Sequence, residues 1–197
     1  MDYKQLNMPV IQLNTPCDTP INMEKDVNVI IINPRKGGFC KYKVSLYEIT
    51  KKTNSNTDYI TRLQKELDEF NSMSLTEYEA INLRTNHTKI LEAEINHRNG
   101  VNEYYKIKSL IYTSIIKKKN IEQLIGHLKS KLNSSLGNCL EHTQELVELG
   151  HIKEDEYIYD AEQAKDAYNS LEELIDYYNT AEKVIITNGE VMIMEDN

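Results

Sequence analysis

Glu94-Ile95-Asn96-His97 carries the Glu-x-x-His spacing of carboxylate-bridged metal bundles, because positions i and i+3 project to one side of a helix. Such a centre needs a second motif of this kind and two further bundle glutamates. A solvated polar face is therefore the expected reading, and a metal-bundle enzyme around Glu94 and His97 is the least favoured function. His87, His97, His127, His142 and His151 are scattered, and none sits in the His-Glu-x-x-His pattern of zinc hydrolases. Cys17, Cys40 and Cys139 are odd in number and far apart, which predicts reduced thiols with Cys139 on an apolar seam. Arg35-Lys36-Gly37-Gly38 could offer amides and cations to a phosphate, but it lacks the spacing and strand–loop–helix setting of a Walker loop. A hairpin turn is expected there. No catalytic residue, cofactor-binding residue or metal ligand is assigned, and the chain is read as a non-enzyme that needs no cofactor.

Charge is the next source of chemistry. The 197 residues carry a net charge of −8, unevenly spread. Residues 1–56 hold eight basic and five acidic side chains, residues 57–137 twelve and ten, and residues 138–197 three and sixteen. Asymmetry of that size points to a partner surface or to pairing between segments. Lys106, Lys108, Lys117, Lys118 and Lys119 form a basic cluster near Tyr104, Tyr105 and Tyr112. Pairing with the acidic C-terminal helix, or a subunit contact, is expected of it. Nucleic acid is not expected as a specific ligand of so acidic a chain. Residues 138–197 would suit a basic protein surface.

The elements that position these groups divide at proline. Pro9, Pro16, Pro20 and Pro34 are the only prolines, and a proline inside a helix costs about 3 kcal/mol. Residues 1–26 are expected to be an extended arm lying on another surface. Residues 27–50 are expected to form a β-hairpin: the β-branched run Val27-Asn28-Val29-Ile30-Ile31-Ile32, a turn, and an alternating strand from Phe39 to Ile49. Residues 51–56 read as a polar linker.

The helical body is placed at 57–181. Ile60, Leu63, Leu67 and Phe70 recur at helical spacing, and Ser74-Leu75-Thr76-Glu77 restarts helix as a capping box. Asn99-Gly100 is read as a stop, Ser135-Leu136-Gly137 as a break, and Gly150 as the end of a long apolar seam. Glu154 to Ala181 forms the last helix, with Ala161, Ala164, Tyr168, Leu171, Ile175 and Tyr178 on one face. A second hairpin is placed at 183–195, two strands around a type I′ Asn188-Gly189 turn. A two-stranded ribbon is marginal alone, so this one must pack on the helices, join the N-terminal hairpin or extend a partner's sheet.

The fold class is therefore mainly α, an antiparallel bundle or long helical hairpin bracketed by two small β elements, α+β overall. No apolar run approaches the roughly 18 residues of a membrane span, and no signal peptide is visible, so a cytoplasmic protein is expected. Arms and edge strands clasp neighbouring subunits by strand addition. The expected function is an assembly subunit working with copies of itself or with other structural proteins. Its narrowest form is a tailed-phage virion component such as a connector, ring, capsid- or tail-associated protein, found in host cytoplasm and virion. An acidic helical adaptor that binds a basic protein is the alternative. The residues expected to carry interaction are Val29, Ile31, Tyr168, Tyr178, Val184, Ile186, Val191 and Ile193.

Overall fold

The structure, a computed structural model, describes residues 10–14, 19–36 and 38–194. Cys17, Pro9, Pro16, Gly37 and half of the expected arm lie outside them. The protein is α+β with a helical bundle, 68% helical, and small antiparallel sheets are built from its two ends. Element order is β1 (Val10–Leu13), β2 (Val27–Asn33), a 3-10 turn (Pro34–Lys36), β3 (Gly38–Val44), α1 (Leu46–Ser72), α2 (Tyr78–Ile116), a 3-10 turn (Glu122–Leu124), α3 (Ile125–Glu148), α4 (Glu154–Asn179), β4 (Lys183–Thr187) and β5 (Val191–Met194). The chain divides into two compact units. One holds residues 1–50, 109–123 and 173–197, and the other residues 51–108 and 124–172.

The first unit is organised by β2. Sheet order is β3-β2-β4, both pairings antiparallel, so β2 is central. Val27, Val29, Ile30 and Ile31 are buried, on both faces of the strand. A strand covered on both faces needs apolar residues at successive positions rather than alternation, which is why Val29–Ile32 is β-branched at each of its four positions. Ile111, Ile115, Ile121, Leu174 and Ile175 supply further buried side chains of this unit. The N-terminal hairpin forms as expected, Val27 opposite Val44 and Asn33 opposite Gly38.

Its second strand stops at Val44, however, and residues 51–56 are helix, not linker. Ser45 accepts a hydrogen bond from the Glu48 amide (3.3 Å), so Ser45-Leu46-Tyr47-Glu48 is itself a helix start. Within α1, Thr50, Thr57 and Thr61 turn their hydroxyls back onto carbonyls four residues earlier. Lys51, Lys52, Asn54 and Ser55 of the polar run are exposed on this helix, whereas Asn56 is buried.

The C-terminal strands flank Asn188-Gly189 as expected, but they do not pair with each other. β4 pairs with β2 (Val29 opposite Ile186, Ile31 opposite Val184), and β5 pairs with β1 (Leu13 opposite Val191, Val10 opposite Met194). Neither Asn188 nor Gly189 has the positive φ that a type I′ turn requires. The Asn188 side chain instead accepts from the Asn22 amide (2.6 Å) and donates to the carbonyls of Asn22 (2.9 Å) and Asp26 (3.0 Å). It binds the loop before β2, and joining the N-terminal strands is how the ribbon is stabilised. Of the expected arm, β1 pairs with β5 and Asn22 bonds Asn188, so these described parts lie on this same chain.

The second unit is helical. Leu63, Leu67, Leu91 and Ile95 form a buried cluster flanked by Tyr59, Ile60 and Phe70. α1 ends at Ser72, as expected, but α2 starts at Tyr78, so Glu77 and not Ser74 precedes its first turn. Neither Gly100 nor Ser135-Leu136-Gly137 interrupts its helix. Gly100 faces the Cys139 backbone of α3, and a Cβ there would meet its Cα at 3.5 Å, an ordinary contact distance. Ser135 is buried at the same place. Its hydroxyl donates to the Gly100 carbonyl (3.0 Å) and accepts from the Tyr168 hydroxyl (2.8 Å), linking α2, α3 and α4. Gly150 does end α3, at φ +71°, with its amide on the Val147 carbonyl and the His151 amide on that of Leu146. No described helix is long and apolar enough to cross a membrane.

Candidate functional site

The interaction residues expected from sequence fall into two groups. Val29, Ile31, Val184 and Ile186 are brought together as two cross-strand pairs, with Val29 and Ile31 fully buried. Tyr168 is buried on α4, and the Tyr178 hydroxyl donates to the Lys119 carbonyl (2.7 Å). These six side chains make contacts within the chain. Val191 and the backbone of Ile193 belong to the β1–β5 ribbon.

That ribbon has two unlike faces. Ile11, Leu13 and Val191 are half-buried, whereas Val10 (48% exposed), Gln12, Met192 (50%) and Met194 (45%) are exposed. Strand periodicity places the second set on one face, with Val10 opposite Met194 and Gln12 opposite Met192. Asn14 and Glu190 close the ribbon through a backbone hydrogen bond (3.1 Å) and a side-chain one (3.4 Å). Val10, Met192 and Met194 are missing from the expected set. The signal lay in Val191-Met192-Ile193-Met194, apolar at all four positions: a strand apolar on both sides that packs one face leaves the other in solvent.

Glu94 and His97 do not converge on a common point. The Glu94 carboxylate accepts from the Tyr59 hydroxyl (2.9 Å) and lies 3.8 Å from both Arg98 and His151. His97 turns to α3, its Nδ1 lying 3.0 Å from the Thr143 hydroxyl and 3.4 Å from the Cys139 sulfur. Because that hydroxyl donates to the Cys139 carbonyl (2.7 Å), His97 Nδ1–H is the donor to Thr143. Burial pushes the His97 pKa down, favouring neutral imidazole, and pushes the Cys139 thiol up to about 11, with Asp160 adding to the rise. A nucleophilic cysteine needs thiolate, so this Cys–His contact is that of a core cysteine. The Glu-x-x-His spacing recurs at Glu148 and His151, but Gly150 ends α3 between them, so the two do not share a helical face. Among the described residues no group of three His, Cys, Asp or Glu side chains is arranged to hold a metal ion.

Of the remaining histidines, His87 lies within α2 and His142 within α3. His87 meets Glu66 (2.9 Å) and stacks at a tilt on Phe70, and His142 meets Glu145 (3.3 Å). Lys106 pairs with Glu103 on its own helix (2.5 Å), and the Lys108 ammonium lies 5.5 Å from the centre of the Tyr104 ring. Lys117, Lys118 and Lys119 are exposed just beyond α2. Lys118 has φ +49°, and the Lys118 and Lys119 amides bond the carbonyls of Ile115 and Ser114, the same closing pattern that Gly150 makes after α3. Arg35 and Lys36 lie in the 3-10 turn, where the Tyr177 hydroxyl donates to the Lys36 carbonyl. No protein-family description, curated protein or solved structure matches this chain.

Proposed function

We propose that this chain is a non-enzymatic structural subunit that works in an oligomer, in its narrowest form a cytoplasmically made virion component of a tailed phage, such as a connector, ring, capsid- or tail-associated protein. The observation that supports it is the β1–β5 ribbon. Among the described residues its strands pair only with each other, and Val10, Met192 and Met194 face solvent on one side. A two-stranded ribbon with an exposed apolar face gains from a second surface laid against it. Sedimentation velocity and negative-stain microscopy test the reading. Concentration-dependent assembly that Met192→Lys and Met194→Lys abolish is expected, and a monomer at all concentrations, alone and with neighbouring gene products, overturns it. Structural genes on both sides of the coding sequence would support the phage form.

A second reading, an acidic adaptor for a basic protein, is favoured by α4. Asp155, Glu156, Asp160, Glu162 and Asp166 are exposed beside Ile158 (52%) and Tyr159 (64%). Capture of one dominant basic partner, lost when these carboxylates are neutralised, would place α4 ahead of the ribbon.

A further inference from the structure

Within the helical unit, α1 and α2 line an open groove of about 460 Å³. Its lining comes from two helical stripes. Lys52, Ser55, Asn56, Tyr59 and Arg62 stand at i, i+3, i+4, i+7 and i+10 on α1, and Arg98, Val101 and Tyr105 at i, i+3 and i+7 on α2. Three of these side chains are cations and none is a carboxylate. The side chains of Lys52 and Arg62 have neither an ion pair nor a hydrogen bond among the described residues. Arg98 lies 4.9 Å from the centre of the Tyr59 ring, and its carboxylate neighbour Glu94, at 3.8 Å, is held more closely by the Tyr59 hydroxyl at 2.9 Å. Behind them, Lys108 is pushed toward the neutral form by burial first and by the charge of Lys52 second. The wall is fixed in place: buried Asn56 donates to the Arg98 carbonyl (2.8 Å) and to Asn102 Oδ1 (2.9 Å), which sets α1 against α2.

Concentrated positive charge in a chain of net charge −8 runs against the overall composition. A monocarboxylate could satisfy one of the three cations. A group with several anionic oxygens satisfies all of them, and guanidinium forks match phosphate oxygens in pairs. Tyr59, Tyr105 and Val101 offer apolar surface to whatever carries that group, and the volume falls within the range of small-molecule sites. We propose that this groove is a binding site for an oligophosphate group, in which Lys52, Arg62 and Arg98 hold the phosphate oxygens. The proposal is independent of the assembly reading.

Calorimetric titration of the full chain tests it, with inorganic pyrophosphate, ATP and sodium acetate as separate probes. Saturable binding of pyrophosphate or ATP is expected, at least about tenfold weaker in Lys52→Gln/Arg62→Gln, because losing two charge-assisted contacts removes 1.4 kcal/mol or more. Both replaced side chains are exposed, and unchanged circular dichroism and melting temperature would show that the fold is intact. Tighter binding of ATP than of pyrophosphate would identify the carrier as a nucleotide, and equal binding would identify the bare oligophosphate. Absence of saturable binding by either up to about 5 mM overturns the proposal. So does a double variant that binds as well as the parent, or acetate that competes on equal terms.

Discussion

The two compact units are registered by different means. In the sheet unit the backbone itself sets the alignment: β2 bonds β3 on one side and β4 on the other, and the buried side chains around it are nearly all aliphatic. In the helical unit each backbone is satisfied inside its own helix, so the backbone cannot say how one helix should slide along the next. That task falls to a few buried polar side chains, Asn56 with Asn102 and Ser135 with Gly100 and Tyr168. A sheet specifies register through its main chain, whereas a bundle must place polar side chains in its core to do so.

This contrast predicts how each unit fails. Ile31→Ala should have the largest effect, a loss of about 3–4 kcal/mol in urea denaturation, because β2 cannot collapse around the void without leaving its two partners. A loss below about 1 kcal/mol would mean that the aliphatic centre is not what holds the sheet. Asn56→Ala should cost about 2 kcal/mol by stranding Asn102 Oδ1 in a buried site. Asn56→Ala/Asn102→Ala together should cost less than the sum of the two single changes, and strict additivity would remove Asn56–Asn102 as a register device.

A smaller, pH-dependent effect follows from Tyr168. Burial raises its pKa to about 12 in the fold, against about 10 for an unfolded tyrosine. The unfolded chain therefore releases this proton first. The stabilisation is whole below about pH 10 and is lost as pH climbs toward about 12. Tyr168→Phe should flatten the alkaline fall in the urea midpoint, and a slope unchanged from the parent would sink the assignment. The smallest effect separates the two helix ends. Lys118 and Gly150 close their helices alike, but only glycine adopts positive φ without steric cost. Lys118→Gly should stabilise by about 1 kcal/mol, and Gly150→Ala should destabilise by a similar amount.

The sequence made β2, the last helix and the stop at Gly150 readable, because each depends on a local pattern: a β-branched run, an apolar stripe, a glycine past the last helical turn. It misled wherever a residue serves a distant partner. Gly100 and Ser135 resemble breaks to a local reading, yet they mark where three helices meet. Ser45 and Glu48 do form a local start signal, but it is masked by the strand alternation that runs into it. Asn188-Gly189 has the composition of a tight turn, and only the position of Asn22, 166 residues earlier in the chain, reveals its use. Of the candidate sites, the oligophosphate groove was the least legible. Lys52, Arg62 and Arg98 are ordinary surface cations until α1 and α2 are laid side by side.

The pairing of β2 with β4 also has a consequence for synthesis. β2 is complete at Asn33, but the strand that covers its second edge ends at Thr187. At about 5–20 residues per second, a ribosome takes roughly 8–30 s to make the intervening chain. Through that interval the most aliphatic strand of the protein has β3 on one side and nothing native on the other. An open edge of this kind invites pairing with other nascent chains. The protein should therefore depend on holding chaperones during translation more than its small size suggests, and its yield should fall most steeply when elongation is slowed between the codons for α1 and β4.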